Sequence, residues 1–199
     1  MNLPNRLTLL RVVLTPVFML TLLLEFRFHY AVSLAIFIAA SITDLLDGKI
    51  ARARRIVTDF DKFLDPLADK MLTTAAFLGF IPLGIGAGVV WMAFIVLFRE
   101  FTVSSIRLIA VSSGGKVIAA NLFGNLNTVF QMIAIIFALT AKQLVEVLAL
   151  LKVEAQTVSM IDGWLYWATT LLLWVSTILC IVSGVIYLND NKSFLKETK

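Results

Sequence analysis

Six apolar runs separated by short polar segments set the pattern of the chain. They cover residues 9–24, 31–43, 71–83, 89–98 with a continuation toward 111, 118–141 and 164–188. Pro82 and the glycines that follow it separate the third run from the fourth. Since a membrane-spanning helix needs about 20 mostly apolar residues, the pattern predicts six transmembrane helices. The polar and basic residues before the first run predict a juxtamembrane N-terminal segment.

The composition agrees with a chain that lies in a membrane. Hydrophobic residues make up 60% of the 199 residues and charged residues 15%, against roughly 45–50% and about 25% in soluble domains. The surface left after burying one core would be too apolar for water. We therefore predict an all-α integral membrane protein of one domain, residues 1–199, whose first run is retained as a helix. Residues 142–160 predict an amphipathic connection at the membrane surface.

The distribution of basic residues predicts the orientation in the membrane. The chain has 17 Lys and Arg against 13 Asp and Glu, a net charge of +4, and 13 of the 17 basic residues fall on one side of the predicted membrane. By the positive-inside rule this side is cytoplasmic, and an even number of spans places both termini there. The excess charge indicates orientation and contact with anionic membrane lipids rather than binding of nucleic acid.

Residues 44–69 carry the candidate chemistry, since six of the 13 acidic residues lie there. Asp44 and Asp47 are three residues apart and Asp65 and Asp69 are four apart, so each pair shares a helical face. Pro66 suits a first helical turn, which predicts Asp65 near an N-cap. Four carboxylates at a membrane edge repel one another unless hard divalent cations lie between them. With one Cys and one His in the chain, oxygen ligands and Mg²⁺, Mn²⁺ or Ca²⁺ are favoured over zinc.

Small residues and a guanidinium continue the face that begins at Asp44. Gly48, Ala51 and Arg52 follow it at +4, +7 and +8. The small side chains leave room for a bulky group, and arginine pairs with phosphate. Metal ions, an arginine and a spare carboxylate that accepts a proton suit substitution at phosphorus. The alternative, a solvated polar loop, does not explain acids at helical spacing on both flanking runs.

In this pattern the chain resembles the CDP-alcohol phosphotransferases, whose signature is D-x₂-D-G-x₂-A-R-x₈-G-x₃-D-x₃-D. The matching residues are Asp44, Asp47, Gly48, Ala51, Arg52, Asp65 and Asp69. The resemblance implies that the four aspartates bind two Mg²⁺ or Mn²⁺ ions and that Asp69 is also the catalytic base. It further implies that Gly48, Arg52 and Thr58 contact the CDP group of a CDP-linked lipid.

Flanking segments are most similar to one branch of that family. NLPNRLTLLR, KFLDPLADK and RE-x₆-R, which holds Arg99 and Arg107, resemble the bacterial enzymes that make phosphatidylglycerophosphate. The resemblance implies an enzyme of the bacterial cytoplasmic membrane with its active site on the cytoplasmic side. It also implies attack by a hydroxyl of glycerol 3-phosphate on CDP-diacylglycerol, with release of CMP, in phospholipid synthesis.

Two departures from the family pattern leave alternatives open. Asp61 replaces the second glycine of the signature, and residues 124–128 read G-N-L-N-T where relatives tend to carry G-K-x-K-T, so Asn125 and Asn127 replace two cations. One alternative is another acceptor, such as phosphatidylglycerol in a cardiolipin-type synthesis. Another is a catalytically impaired relative that binds metal or CDP-lipid. A cation transporter is disfavoured because no acid lies in the fifth or sixth run.

A polar face near the N-terminus is a further candidate for substrate binding. Asn5, Thr8 and Arg11 recur every three residues and share one side of the predicted first helix. This spacing predicts that they line the nucleotide pocket. An N-terminal cap at the membrane interface explains the same residues.

Basic residues in and after the fourth run are candidates for binding the acceptor. Arg99 and Arg107 are eight residues apart, close to one helical face. We predict that Arg107, with Arg99 and Lys116, binds the phosphate of the acceptor; the alternative is that they anchor the helix at the interface. Glu100 is predicted to orient a neighbouring cation. Ser183–Gly184 predicts a close helix contact, and the family implies a homodimer through the later helices.

Overall fold

A computed structural model describes the backbone of residues 3–54, 59–112 and 122–190, and the side chains of residues 8–43, 70–106, 124 and 126–190. Within these residues six α-helices form and no strand is present. The helices are α1 (Leu3–Leu23), α2 (His29–Arg54), α3 (Asp59–Phe80), α4 (Val89–Ser112), α5 (Leu122–Leu150) and α6 (Ala155–Asp190). The all-α prediction is confirmed.

Three of the described helices are long and apolar enough to cross a membrane, by length and composition. Their apolar windows are Val89–Ile106, Leu126–Leu150 and Ala155–Asp190. Two shorter apolar stretches, Thr8–Leu23 and His29–Thr43, lie in α1 and α2. These helices are consistent with a membrane protein, and the count of six spans stays a prediction.

Helix α3 begins earlier than the sequence analysis predicts. It starts at Asp59, six residues before Asp65, so the prediction that Asp65 lies near an N-cap is wrong. Residues 59–64 already lie in the helix ahead of Asp65. Pro66 therefore sits inside the helix, where it removes one backbone hydrogen bond.

The connection predicted at residues 142–160 is shorter in the structure. Helix α5 continues to Leu150 and α6 begins at Ala155, since no glycine or proline interrupts either end. One of the charged residues joins the two helices: Lys142 Nζ lies 2.9 Å from Asp162 Oδ1. Only residues 151–154 form the turn between the helices, and Lys152 adopts a positive φ of 55° there.

Each helix turns one stripe of residues toward a shared interior. On α1, the buried residues recur at three- and four-residue spacing, as expected for a helix with one inward face. They are Thr8, Arg11, Thr15, Phe18 and Leu22. Phe18 packs on Phe37 of α2 with ring centroids 5.6 Å apart, and both belong to a core that also takes in Phe77, Met92 and Leu173. Van der Waals packing of this kind, rather than the hydrophobic effect, holds helices together in lipid.

Large apolar side chains cover the outer surface. Four aromatic residues of α4 are each 59–69% exposed: Trp91, Phe94, Phe98 and Phe101. The buried residues, by contrast, include threonines, serines and amides. A water-soluble protein has the opposite distribution. The arrangement is consistent with lipid around the helices.

The N-terminus of α2 and the C-terminal part of α5 meet at one end of the bundle. Phe28 N donates to Glu146 Oε1 at 2.8 Å, and Ala31 N donates to Gln143 Oε1 at 2.7 Å. The first N–H groups of a helix have no partner within the helix itself. Side chains of α5 therefore satisfy two of them and fix α2 against α5.

The turn between α3 and α4 closes the same end. Ala87 N donates to Thr170 Oγ1 at 3.0 Å, and Trp174 Nε1 donates to Ala87 O at 3.0 Å. Gly84 and Gly86 take positive φ angles of 62° and 91°, a region in which residues with a Cβ are strained. The turn thus needs glycine for its shape.

Alanine substitutions separate two requirements of this turn. A Cβ on Gly86 would lie 2.9 Å from Leu173 Cδ1, whereas a Cβ on Gly84 would meet nothing within 4 Å. We expect Gly86→Ala to lower the free energy of unfolding by about 2–4 kcal/mol, from strain and overpacking together. Gly84→Ala, the matched control, should cost about 1–2 kcal/mol from strain alone. Unfolding of both variants in detergent micelles measures the difference, and equal losses would contradict the tight contact with Leu173.

Candidate active site

The second end of the bundle collects polar residues from several helices. Helices α2 and α5 are antiparallel, because the start of α2 meets the end of α5. Helices α1 and α3 run in the same direction, because Gly79 approaches Leu22 near the end of each. The chain therefore alternates up and down, and the starts of α1, α3 and α5 lie with the ends of α2, α4 and α6. We call this end the polar end.

By helical register, the two aspartate pairs continue the inward stripes of α2 and α3. Phe37 and Ala40 of α2 are fully buried, and positions 44 and 47 follow Ala40 by four and seven residues on the same face. On α3, Leu72 and Ala76 are buried. Position 69 precedes Leu72 by three residues and position 65 precedes it by seven, so both share its face. Helical register thus predicts inward positions at the polar end for both pairs.

The donor set of these positions fits a hard divalent cation. Asp44, Asp47, Asp65 and Asp69 offer carboxylate oxygens, the ligands that Mg²⁺ and Mn²⁺ prefer. Their backbones lie in α2 and α3, and their side chains lie outside the described part of the chain. Among the side chains that the structure does describe, no three His, Cys, Asp or Glu come together as a metal site.

Six other predicted site residues also lack described side chains. Gly48 and Arg52 lie in α2, Asn5 in α1 and Arg107 in α4, with no side-chain description. Thr58 and Lys116 lie outside the described residues altogether. The roles predicted for all six stay predictions.

Thr8 and Arg11 of α1 both face the interior. Thr8 is 3% exposed and Arg11 is 2% exposed, which confirms that they share one face. A guanidinium is expensive to remove from water unless polar or anionic groups surround it. Its burial indicates a polar interior at this end, and contact of the face with a nucleotide stays a prediction.

Arg99 ties α4 to α6. Its Nη1 donates to Glu100 Oε1 at 2.8 Å and its Nη2 to Ser183 Oγ at 2.7 Å. The arginine stem packs on Gly184, where an added Cβ would lie 2.9 Å from Arg99 Cγ. The predicted helix contact at Ser183–Gly184 and the predicted role of Glu100 in orienting a cation are confirmed. These contacts of Arg99 are internal to the protein, and its contact with substrate stays a prediction.

Lys70 is a polar-end residue that the sequence analysis did not assign to the site. Its Nζ lies 3.6 Å from Glu100 Oε1 and donates to Thr128 Oγ1 at 3.2 Å. Lys70 thus joins α3 to α4 and α5. The sequence signal that could have placed Lys70 at the site is its position directly after Asp69. Sequence spacing does not indicate that Thr128 is its partner.

Two amides of α5 are buried beside this network. Asn127 is 0% exposed and Gln131 is 1% exposed. Within the described part of the chain, neither Asn127 Oδ1 nor its Nδ2 has a hydrogen-bond partner, and Gln131 Nε2 has none. Burying an amide costs less than burying an ammonium group. A neutral side chain at position 127 is therefore easier to bury than a lysine would be.

The all-helical fold with its long apolar helices is consistent with a membrane protein. The family profile of CDP-alcohol phosphatidyltransferases matches residues 1–182. The chain belongs to this family.

Individual relatives are named for related activities. The chain is 40% identical over 147 residues to CDP-diacylglycerol–glycerol-3-phosphate 3-phosphatidyltransferase of Bacillus subtilis. The aligned region covers 67% of this chain and 74% of that protein. It is 42% identical over 137 residues to a Mycobacterium tuberculosis protein named "Probable phosphatidylglycerophosphate synthase", covering 67% of this chain and 64% of that protein. It is 33% identical over 153 residues to cardiolipin synthase (CMP-forming) of Oryza sativa subsp. japonica, covering 71% of this chain and 46% of that protein.

The contact between Arg99 and Gly184 predicts opposite effects at two glycines of α6. Gly184→Ala should destabilise the protein by about 1–3 kcal/mol, because the new methyl group displaces Arg99. At Gly163 an added Cβ meets nothing within 4 Å, so Gly163→Ala should stabilise the helix by up to about 1 kcal/mol. Thermal unfolding in detergent measures both changes. Stabilisation by both alanines would show that Arg99 does not pack on Gly184.

Proposed function

We propose that the chain transfers a phosphatidyl group from CDP-diacylglycerol to glycerol 3-phosphate, giving phosphatidylglycerophosphate and CMP. The observation that carries this function is the family signature in the sequence of α2 and α3, together with the family match over residues 1–182. The names of the Bacillus subtilis and Mycobacterium tuberculosis relatives support the choice of substrates.

The reaction is a substitution at phosphorus. A hydroxyl oxygen of glycerol 3-phosphate attacks the β-phosphorus of CDP-diacylglycerol and forms a new P–O bond. The bond between the β-phosphorus and the bridging oxygen breaks, and CMP leaves with that oxygen. Asp69 accepts the proton of the attacking hydroxyl, in the role of general base.

Two divalent cations, Mg²⁺ or Mn²⁺, are part of the proposal. Asp44, Asp47, Asp65 and Asp69 would hold them, because these four supply oxygen ligands from two helices that meet at one end of the bundle. When bound, such ions neutralise and align a diphosphate. Metal binding also offsets the repulsion among four carboxylates.

Two further signature residues and several residues outside the signature are proposed to bind the two substrates. Arg52 pairs with the diphosphate, and Gly48 and Thr58 contact the CDP group. The face of α1 with Asn5, Thr8 and Arg11 lies beside the nucleotide. Arg107, together with Arg99 and Lys116, binds the phosphate of glycerol 3-phosphate. Guanidinium groups suit this task because they form paired hydrogen bonds with phosphate oxygens.

The orientation in the membrane follows from the same end. We place the polar end at the cytoplasmic face of a bacterial cell membrane, with six spans and both termini on that side. The excess of Lys and Arg there supports this orientation. A lipid-linked donor and a water-soluble acceptor can meet only at such a boundary.

A second acceptor has its own support. One relative is named cardiolipin synthase (CMP-forming), and Asn127 places a neutral, fully buried amide where relatives tend to carry a cation. Phosphatidylglycerol as acceptor would give cardiolipin and CMP. The test of function therefore needs both acceptors.

Purified protein should release CMP only when CDP-diacylglycerol and glycerol 3-phosphate are present together with Mg²⁺ or Mn²⁺. Chelation with EDTA should abolish the release, and added metal should restore it. CMP and lipid products are measured by chromatography. Release of CMP with phosphatidylglycerol but not with glycerol 3-phosphate would replace the proposed acceptor, and no release with any alcohol would contradict the transferase function.

Two asparagine substitutions should separate the base from the metal ligands. Asp69→Asn removes the proton acceptor and should lower kcat by about 10²–10⁴-fold even at saturating Mg²⁺. Asp44→Asn should raise the Mg²⁺ concentration needed for half-maximal rate by about 10-fold or more, with activity recovered at high Mg²⁺. Near-normal turnover by Asp69→Asn would show that another group takes the proton.

A further inference from the structure

The polar end holds a cation that the proposed reaction has not yet used. Lys70 directly follows Asp69 in the chain and its side chain is 25% exposed. Its exposed fraction is twice that of the neighbouring Glu100 and Arg99 side chains, at 12% and 11%. Of these three charged residues, Lys70 is therefore the most accessible to a ligand.

Glu100 holds Lys70 through a connection that is anchored elsewhere. A single oxygen, Glu100 Oε1, accepts a hydrogen bond from Arg99 at 2.8 Å and stands 3.6 Å from Lys70 Nζ. The opposite end of the Arg99 guanidinium is fixed to Ser183 of α6. The arginine thus holds the carboxylate firmly. The carboxylate holds the lysine at a distance beyond a direct hydrogen bond.

Lys70 also reaches the segment of α5 that departs from the family pattern. Its Nζ donates to Thr128 Oγ1 at 3.2 Å, within the sequence G-N-L-N-T at residues 124–128. This segment has no charged residue of its own, and its Asn127 is wholly buried. Lys70 of α3 therefore brings positive charge to an uncharged segment of α5.

We propose that Lys70 binds a phosphate oxygen of a substrate at the polar end and that Glu100 is the positioning residue that holds it there. The ammonium group recognises an anionic phosphoryl oxygen, which either the acceptor's phosphate or the diphosphate of the CDP-lipid can present. This inference rests on the proposed function, because the substrates are those of that reaction.

Steady-state kinetics of Lys70→Gln test the proposal. Loss of one charge-assisted contact should raise the KM of the phosphate-bearing substrate about 10-fold or more. A higher KM for glycerol 3-phosphate with kcat retained assigns the contact to the acceptor, since binding is then lost equally in ground and transition states. A higher KM for CDP-diacylglycerol assigns it to the diphosphate. Both KM values within twofold of the wild type would overturn the proposal.

Glu100→Gln tests the positioning role. It should raise the same KM as Lys70→Gln, by roughly 3- to 10-fold, and Lys70→Arg should keep most of the affinity because it keeps the charge. If Lys70→Gln does not fold, Glu100→Gln decides: a rise confined to one substrate supports the proposal, and no rise overturns it. Lys142→Gln, which breaks an ion pair at the opposite end, is the matched control and should leave both KM values unchanged.

Binding of glycerol 3-phosphate to the proteins in detergent, measured by calorimetry, separates this proposal from the proposed function. If the wild type binds the probe and releases no CMP, the transferase function fails while the role of Lys70 remains open to the same binding assay. If the wild type is active and Lys70→Gln matches it in both binding and KM, the role of Lys70 alone fails.

Discussion

One carboxylate oxygen joins three helices at the polar end. Glu100 Oε1 accepts from Arg99, which reaches α6 through Ser183, and it faces Lys70 of α3. In a low-dielectric interior such pairs are strong, and removal of one member leaves a buried charge without compensation. Because the helices have no hydrophobic drive to associate in lipid, interhelical polar contacts of this kind decide how they are placed.

The two ends of the bundle use polar groups differently. At the far end, Glu146 and Gln143 cap the backbone of α2, and Ala87 of the α3–α4 turn is fixed to Thr170 and Trp174 of α6. These contacts join side chains to backbone and close the structure. Lys142 and Asp162 form an ion pair near that end as well. At the polar end, Glu100 joins Arg99 and Lys70, and the helical register of α2 and α3 leads to the four aspartate positions. Among these contacts, the capping of backbone groups is particular to the far end.

Much of the fold follows from periodicity and spacing. The apolar runs place all six described helices, and the break after Pro82 marks the turn before α4. Two predicted boundaries are wrong: α3 already runs through Asp65 and Pro66, and α5 and α6 take up most of residues 142–160. Within the latter stretch, Lys142 of α5 pairs with Asp162 of α6. Such pairing depends on how α5 and α6 pack and has no signature in either helix alone.

The candidate site divides in a similar way. The aspartate positions can be predicted from spacing, because helical register alone aligns Asp44 with Asp47 and Asp65 with Asp69. The partner of Lys70 cannot, since Thr128 lies 58 residues away in the chain and on another helix. The burial of Asn127 is likewise a tertiary property. It explains in physical terms why a neutral amide suits this position.

The length of α6 has a consequence for the membrane around the protein. Its 36 residues give a helix of ~54 Å, whereas the hydrocarbon layer is about 30 Å thick. Even at a steep tilt of ~40°, α6 extends about 41 Å along the membrane normal, so a stretch of it must lie outside the hydrocarbon layer. A thicker or thinner bilayer would therefore move the water boundary along α6 without exposing either of its ends to hydrocarbon.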